Sequence, residues 1–393
     1  MGVAEIIDLM AETAELADSA RNRELLALAE RVTGQPGAGP RRPGETQFAA
    51  FLGPSVWGRK LGFSLVDYYT DPDTCLEWSL RINLIRFKEI RDDTPLSKTL
   101  GFSLGAGFDP CLFGGRQVYV VDEDPWVDRD HVISSVADLE RMPMPDFYTS
   151  GMMPLAHRFY ARYRELADLA GGGFDVAFPE LGRGPFGLAW HLRGHSALLF
   201  DLFDDPDFAL TLLRFVTEAR KHYERQRADF LGQPIAPGSL MNDEVNVPAL
   251  SPGLYREFVL PLELDLAAFH GGIRYWHCCG NIVPLLPLIQ QLRPRVQQLS
   301  PYNDFEAAVA GAGDSSLQIW MHPSDEVVLA SEEEMYQALR WKLGVCEAQG
   351  VRSYTITTGH TQVMRSPDHS IEQVKAWVWA ARRASEEVSA AGG

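Results

Sequence analysis

The sequence predicts an α/β protein, a (β/α)8 TIM barrel with a helical N-terminal extension, and three observations carry that reading. From residue 170 onward short apolar runs alternate with longer amphipathic stretches, which implies parallel strands joined by crossover helices. At least six of these runs end in polar or ionisable side chains, and barrel strands build their sites at such C-terminal ends. The chain has 393 residues, enough for a barrel of roughly 250 residues with additions. A doubly wound sheet is the main rival, but no G-x-G-x-x-G follows a strand and there is no P-loop.

Residues 3–33 come first, with Ile6, Leu9, Met10, Leu16, Leu25, Leu26 and Leu28 at helical spacing. The Gly- and Pro-rich stretch Gly34–Gly44 reads as a linker. These features divide the chain into a helical segment with its linker over 1–45 and a barrel over 46–393. Residues 45–150 show few clean periods, apart from a short helix around Asp138-Leu139-Glu140. The strand candidates follow in order. Phe174–Pro179 ends at Glu180, Gly238–Asn242 at Asp243 and Glu244, and Ile273–Trp276 at His277. Val296–Leu299 ends near Tyr302, Asn303 and Asp304, Leu317–Met321 at His322, and Tyr354–Thr358 at His360. Helices are expected over His195–Phe203, Pro206–Phe230, Pro252–His270, Ile282–Leu292 and Glu332–Gln349. Ser251 before Pro252 is a helix-start signal.

Composition narrows the function. Lys and Arg number 36 against 53 Asp and Glu, a net charge of −17. That balance argues against nucleic acid or an anionic membrane as the partner and leaves a small-molecule substrate. No window has the roughly eighteen apolar residues of a membrane span, and the N-terminus lacks the pattern of a signal peptide. Five cysteines, two of them adjacent, do not form a secreted disulfide framework. The expected setting is cytoplasmic.

The strongest local motif is Trp276-His277-Cys278-Cys279-Gly280-Asn281. A His and a Cys two residues apart at a strand end suit zinc, which takes borderline-soft N and S ligands. The competing reading is a buried Cys pair acting as small hydrophobes beside a hydrogen-bonded His. His360 ends another strand after Gly359. His277, Cys279 and His360 then form a candidate set of three protein ligands with one open position, as catalytic zinc requires. His360 also reads as a helix cap or a substrate-binding imidazole. The carboxylates Glu180, Asp243, Glu244 and Asp304 are candidates for a fourth ligand, a partner orienting a His, or a general acid. Each also suits a helix N-cap or first turn. Asp243 and Glu244 stand out because two adjacent carboxylates are costly to crowd. His322, in His-Pro-Ser-Asp, reads as a loop and N-cap, and Cys346 as core.

Taken in order, several phrases resemble the uroporphyrinogen decarboxylase superfamily over most of residues 135–383. They are Asp138-Leu139-Glu140 with Pro145, Gly184-Pro185-Phe186 through Leu192-Arg193-Gly194, Asp204-Asp205-Pro206, and Asp243-Glu244. Leu250-Ser251-Pro252 through Tyr255-Arg256-Glu257-Phe258 to Pro261, then His277-Cys278-Cys279-Gly280-Asn281 and Gly359-His360, complete the series. The resemblance implies a (β/α)8 barrel and two chemistries. Metal-free decarboxylases of this superfamily carry an Arg-rich N-terminal motif that is absent here; Pro40-Arg41-Arg42-Pro43 is no substitute. The methylcobalamin:coenzyme M methyltransferase-like branch carries H-x-C plus a distant Cys as zinc ligands. His277 and Cys279 match the H-x-C, and His360 stands where that branch has its distant Cys.

The resemblance therefore implies a zinc-dependent methyltransferase that moves a methyl group between a corrinoid and a thiol or small methylated substrate. The chain has no D-x-H-x-x-G corrinoid motif, so methylcobalamin would come on a partner corrinoid protein. The assignment is His277, Cys279 and His360 to metal, Asp243 and Glu244 to catalysis, and Glu180, Arg193, Asn281 and Tyr302 to substrate binding. The alternatives are a metal-free decarboxylase or lyase with a basic pocket near Arg183, Arg193 and Arg274, and a barrel that binds a ligand or partner without catalysis.

Overall fold

Alternating side chains decide how this chain closes. In the computed structural model, which describes residues 2–35, 45–351 and 353–391, ten strands form. They are β1 (Gln47–Ala49), β2 (Thr99–Leu100), β3 (Gln117–Val120), β4 (Glu123–Val127) and β5 (Asp175–Val176), followed by β6 (Gly238–Met241), β7 (Ile273–His277), β8 (Val296–Leu299), β9 (Ser316–Trp320) and β10 (Tyr354–Thr357). Six make one parallel sheet in the order β1-β10-β9-β8-β7-β6, and β2 pairs in parallel with β5. A single parallel bridge, Arg183 to Met241, joins the segment after β5 to β6. Beside β1 the main chain is held by Asp92 and Asp93: Phe48 N–H donates to Asp93 (3.0 Å) and Ala50 N–H to Asp92 (2.8 Å). The result is a TIM barrel whose eight parallel strands are β1, β2 and β5 to β10. The antiparallel hairpin β3-β4 is an excursion between the second and third of them.

The barrel wall reverses the usual distribution of side chains. Gln47, Thr355, Gln318 and Gln298 stand in register across β1, β10, β9 and β8. Thr355 donates to Gln47 at 3.0 Å, and Tyr275 of β7 donates to Gln318 at 2.6 Å. Barrel interiors are more often filled by bulky branched residues. Here the apolar residues of the same strands, Phe48, Ile356, Ile319, Leu299, Trp276 and Leu240, belong to the surrounding core. The barrel interior is polar, and the apolar face of each strand meets the helices.

Most of the predicted helices form at their predicted places. His195–Asp204, Pro206–Leu231 and Glu332–Ala348 match within a residue, and Ser251 accepts from Leu254 N–H at 3.2 Å as the cap of the next. That helix runs from Pro252 to His270 with a wide turn at Tyr255–Val259 just before Pro261, because proline has no N–H to continue the ladder. Ile282–Leu292 is not one helix but three single turns, each of the first two containing a proline. Residues 3–33 divide into Val3–Ala17 and Ala20–Val32 at Asp18-Ser19, where Ser19 caps the second helix through Asn22 N–H. The pair does not stand apart from the barrel. Ile6 and Met10 enter the main core, and buried Asn22 exchanges hydrogen bonds with the Leu96 main chain (3.1 and 2.7 Å). Most of the predicted linker, residues 36–44, lies outside the described residues.

Candidate active site at the barrel mouth

The site begins with two neighbouring parallel strands. Met241 of β6 lies in register with His277 of β7, so the residues just beyond both ends, Asp243 and Cys279, emerge side by side. Two packing devices hold the β6 end in place. A Cβ at Gly184 would come within 1.8 Å of Asn242 Oδ1, and one at Gly187 within 2.3 Å of Glu244 Oε2. The glycines of the 184–187 segment thus let the helix Pro185–Arg193 press onto residues 242–244. Behind the strands the fully buried Glu263 accepts from Asn242 (2.8 Å), Tyr255 (2.7 Å) and Trp276 (3.4 Å). One carboxylate therefore ties together the residues that precede Asp243 and His277.

Asp243, His277 and Cys279 are the group of side chains, among the described residues, whose donor atoms converge as metal ligands do, all within 4.8 Å of one another. His277 Nε2 lies 2.9 Å from Asp243 Oδ1 and 3.3 Å from Cys279 Sγ. The second nitrogen, Nδ1, lies 3.4 Å from the Tyr275 hydroxyl, which donates its own proton to Gln318. That hydroxyl oxygen is therefore open to accept from Nδ1–H, which would free the Nε2 lone pair for a metal ion; without one, Nε2–H donates to Asp243. The Trp320 ring packs 5.1 Å from His277, and its N–H also donates to Gln318 (3.0 Å).

The electrostatics favour a cation. Burial alone would raise the Asp243 carboxyl, but the hydrogen bond and charge of His277 outweigh it and bring the group down to about 2. Burial, with the Asp243 carboxylate beside it, pushes the Cys279 thiol far up. Without added positive charge Cys279 stays protonated; a divalent ion would reverse that. The N, S and O donors are those zinc takes, and three of them leave a position open.

The structure does not bring the three ligands expected from sequence together: Asp243, not His360, stands beside His277 and Cys279. His360 ends β10, and β8 and β9 lie between it and β7. Gly359, in the left-handed conformation (φ 68°), turns the chain so that the His360 ring packs 5.0 Å from Phe51. Its Nε2 lies 3.9 Å from Asp124 of β4 and has no hydrogen-bond partner.

The other expected residues go to several places. Glu244 turns away from the cluster toward Arg183 (3.3 Å) and His191 (3.4 Å). Glu180 pairs with Arg274, the second residue of β7, about 10 Å along the strand from His277. The strand that Glu180 was expected to end stops at Val176, and the chain pairs again at Arg183, through its isolated bridge to Met241. Arg193 is committed to Asp201 (2.7 and 3.1 Å) and to the carbonyls of Ile133 and Ser134; it clamps the fold and does not face the cluster. Asn281 accepts from Val283 N–H and so shapes its own turn. Tyr302 is exposed at the rim, edge-on to His322. Asp304 and His322 cap helical turns, and Cys346 is core.

Tyr275, Gln318, Trp320 and Glu263 were not singled out from the sequence. Glu263 left a trace there, since it shares one helical face with Leu260, Leu266 and His270, where an apolar residue is expected. No curated protein matches the sequence. A methyltransferase from Methanosarcina mazei superimposes with a TM-score of 0.63 at 15% identity, over 91% of this chain and 97% of its own; that likeness is one of fold. Residues 113–384 match the family model for uroporphyrinogen decarboxylase (URO-D), and the chain belongs to that family.

Proposed function

We propose that this protein is a methyltransferase that moves a methyl group between a corrinoid, carried by a partner protein, and a thiol or small methylated substrate. Its centre would be zinc held by Asp243, His277 and Cys279. The observation that carries the proposal is the convergence of those three donors at the ends of adjacent strands. Zinc there would bind a thiol, lower its pKa and hold the thiolate ready as a nucleophile. Asp243 supplies permanent negative charge, Tyr275 sets the His277 tautomer, and Trp320 shields that ring from water on one side. All five cysteines are free thiols, the state that a cytoplasmic setting maintains and that Cys279 needs in order to act as a ligand.

The decarboxylase alternative called for a basic pocket near three arginines. Arg183, Arg193 and Arg274 are instead paired with Glu244, Asp201 and Glu180, so each charge is answered within the protein. Among the described residues no helix is long and apolar enough to cross a membrane.

The test is spectroscopic. Zinc-loaded protein, free methylcobalamin and either 2-mercaptoethanesulfonate or homocysteine are mixed, and loss of methylcobalamin absorbance is followed. The proposal expects demethylation that falls at least about 100-fold in Cys279→Ala, a loss larger than that from removing an outer partner of the metal. Failure of transfer with both thiols, and in the reverse direction from the methylated thiols to reduced cobalamin, would contradict it.

A further inference from the structure

A second feature of the mouth is left unused by the metal cluster. A cavity of 570 Å³, within the range of small-molecule sites, lies between the ends of β10 and β1, the β3-β4 hairpin and the helices of residues 65–86. Its wall includes the rings of Phe51, Trp57, Tyr68 and Tyr69, with Asp124 and His360. Asp243, His277 and Cys279 are not among the lining residues.

The charges around this cavity do not balance. Asp124 accepts from two neutral hydroxyls, Ser55 (2.9 Å) and Tyr69 (3.3 Å). Among the described residues the one ionisable base near it is His360, at 3.9 Å. Burial holds the His360 pKa down, so that ring stays neutral near pH 7 and leaves the carboxylate uncompensated. The cationic lining residue, Arg86, already faces the fully buried Asp92 at 3.6 Å, which removes the reason to expect an anionic ligand. An unanswered carboxylate in an aromatic-walled space attracts a cation, and ring faces bind cations through their quadrupoles.

We propose that this cavity binds a methylated ammonium ion. A primary ammonium would need several acceptors, and Asp124 is already shared between two hydroxyl donors. A quaternary or tertiary methylated ammonium needs mainly a negative charge and ring faces, which the cavity supplies. A quaternary cation of this kind would also be the methyl donor of the proposed transfer: its C–N bond breaks, the methyl passes to the reduced corrinoid on the partner protein, and the tertiary amine leaves with the electron pair; that identification rests on the methyl-transfer reading, while the binding does not.

Calorimetry with choline chloride, its neutral isostere 3,3-dimethylbutan-1-ol and sodium benzoate tests the binding. Choline is expected to bind, with the isostere and benzoate at least about tenfold weaker. Asp124→Asn should weaken choline at least about tenfold at unchanged melting temperature, and Phe51→Ala by several-fold, since that ring is exposed and its loss leaves the core intact. Cys279→Ala should bind choline like the wild type, which separates this site from the metal centre. Equal binding of choline and its isostere, preference for benzoate, no binding of choline, or an Asp124→Asn variant that binds like the wild type would each overturn the proposal.

Discussion

His277 and His360 end strands of the same parallel sheet and open onto the same end of the barrel, yet their surroundings differ. His277 is buried, its Nε2 is within 2.9 Å of Asp243 and 3.3 Å of Cys279, and its other nitrogen faces Tyr275. His360 is half-exposed, packs on Phe51 and has no hydrogen bond at Nε2. Below the first pair of strand ends a buried carboxylate, Glu263, holds both by side-chain hydrogen bonds. Below the second, the Thr358 hydroxyl accepts from Phe51 N–H at 2.9 Å beside main-chain bonds between the same two segments. Being at a strand end brings a residue to the mouth; adjacent strands in register, braced from behind, bring donor atoms together.

The contrast is open to a series of tests. The largest effect belongs to the ligands: Cys279→Ala or His277→Ala should cost more than about 100-fold in zinc affinity, beyond the loss typical of outer partners, as read by competition with a chromogenic chelator. Next is the brace. Burial in an apolar setting raises the Glu263 carboxyl from its ordinary 4.5 to about 7. Between those values the folded state holds a proton that the unfolded chain has released, so this group's contribution to stability falls as pH rises from about 4.5 to about 7. Comparing urea unfolding of the wild type and Glu263→Gln, the balance should shift toward the variant by about 2–3 kcal/mol across that window. A constant difference would remove Glu263 from the account. Tyr275→Phe should weaken zinc by about tenfold, the lower end for a partner that orients a metal-binding His. His360→Ala should do least, leaving zinc affinity within about twofold, because it contributes no donor to the cluster.

The legible part of this fold was the part with regular periods. The β6 to β10 strands and the helices that follow several of them appear as apolar runs and amphipathic stretches, and Ser251 with Pro252 marks a helix start that the structure keeps. The β1 to β4 strands were not legible. They are two to five residues long, too short for alternation to show against a Gly- and Pro-rich background. The polar barrel interior was hidden for a related reason: Gln318 and Gln298 look like surface residues until the register aligns them. In the site, H-x-C was readable because two ligands lie close in sequence. The neighbour of that pair was not readable, because both His360 and Asp243 end strands, and which of them reaches Cys279 depends on strand neighbours 36 or 81 residues away in sequence. Arg193 belongs to a family phrase, yet its partner Asp201 lies in the helix that follows that phrase, so its place there serves a structural clamp.

The most direct measurement is metal content and zinc affinity of purified Asp243→Ala and His360→Ala, side by side with the wild type, each checked for retained fold by circular dichroism. Close to one zinc per chain is expected in the wild type and in His360→Ala, and loss of that zinc in Asp243→Ala. Zinc retained in Asp243→Ala and lost in His360→Ala would contradict it and would restore the ligand set that the sequence first suggested.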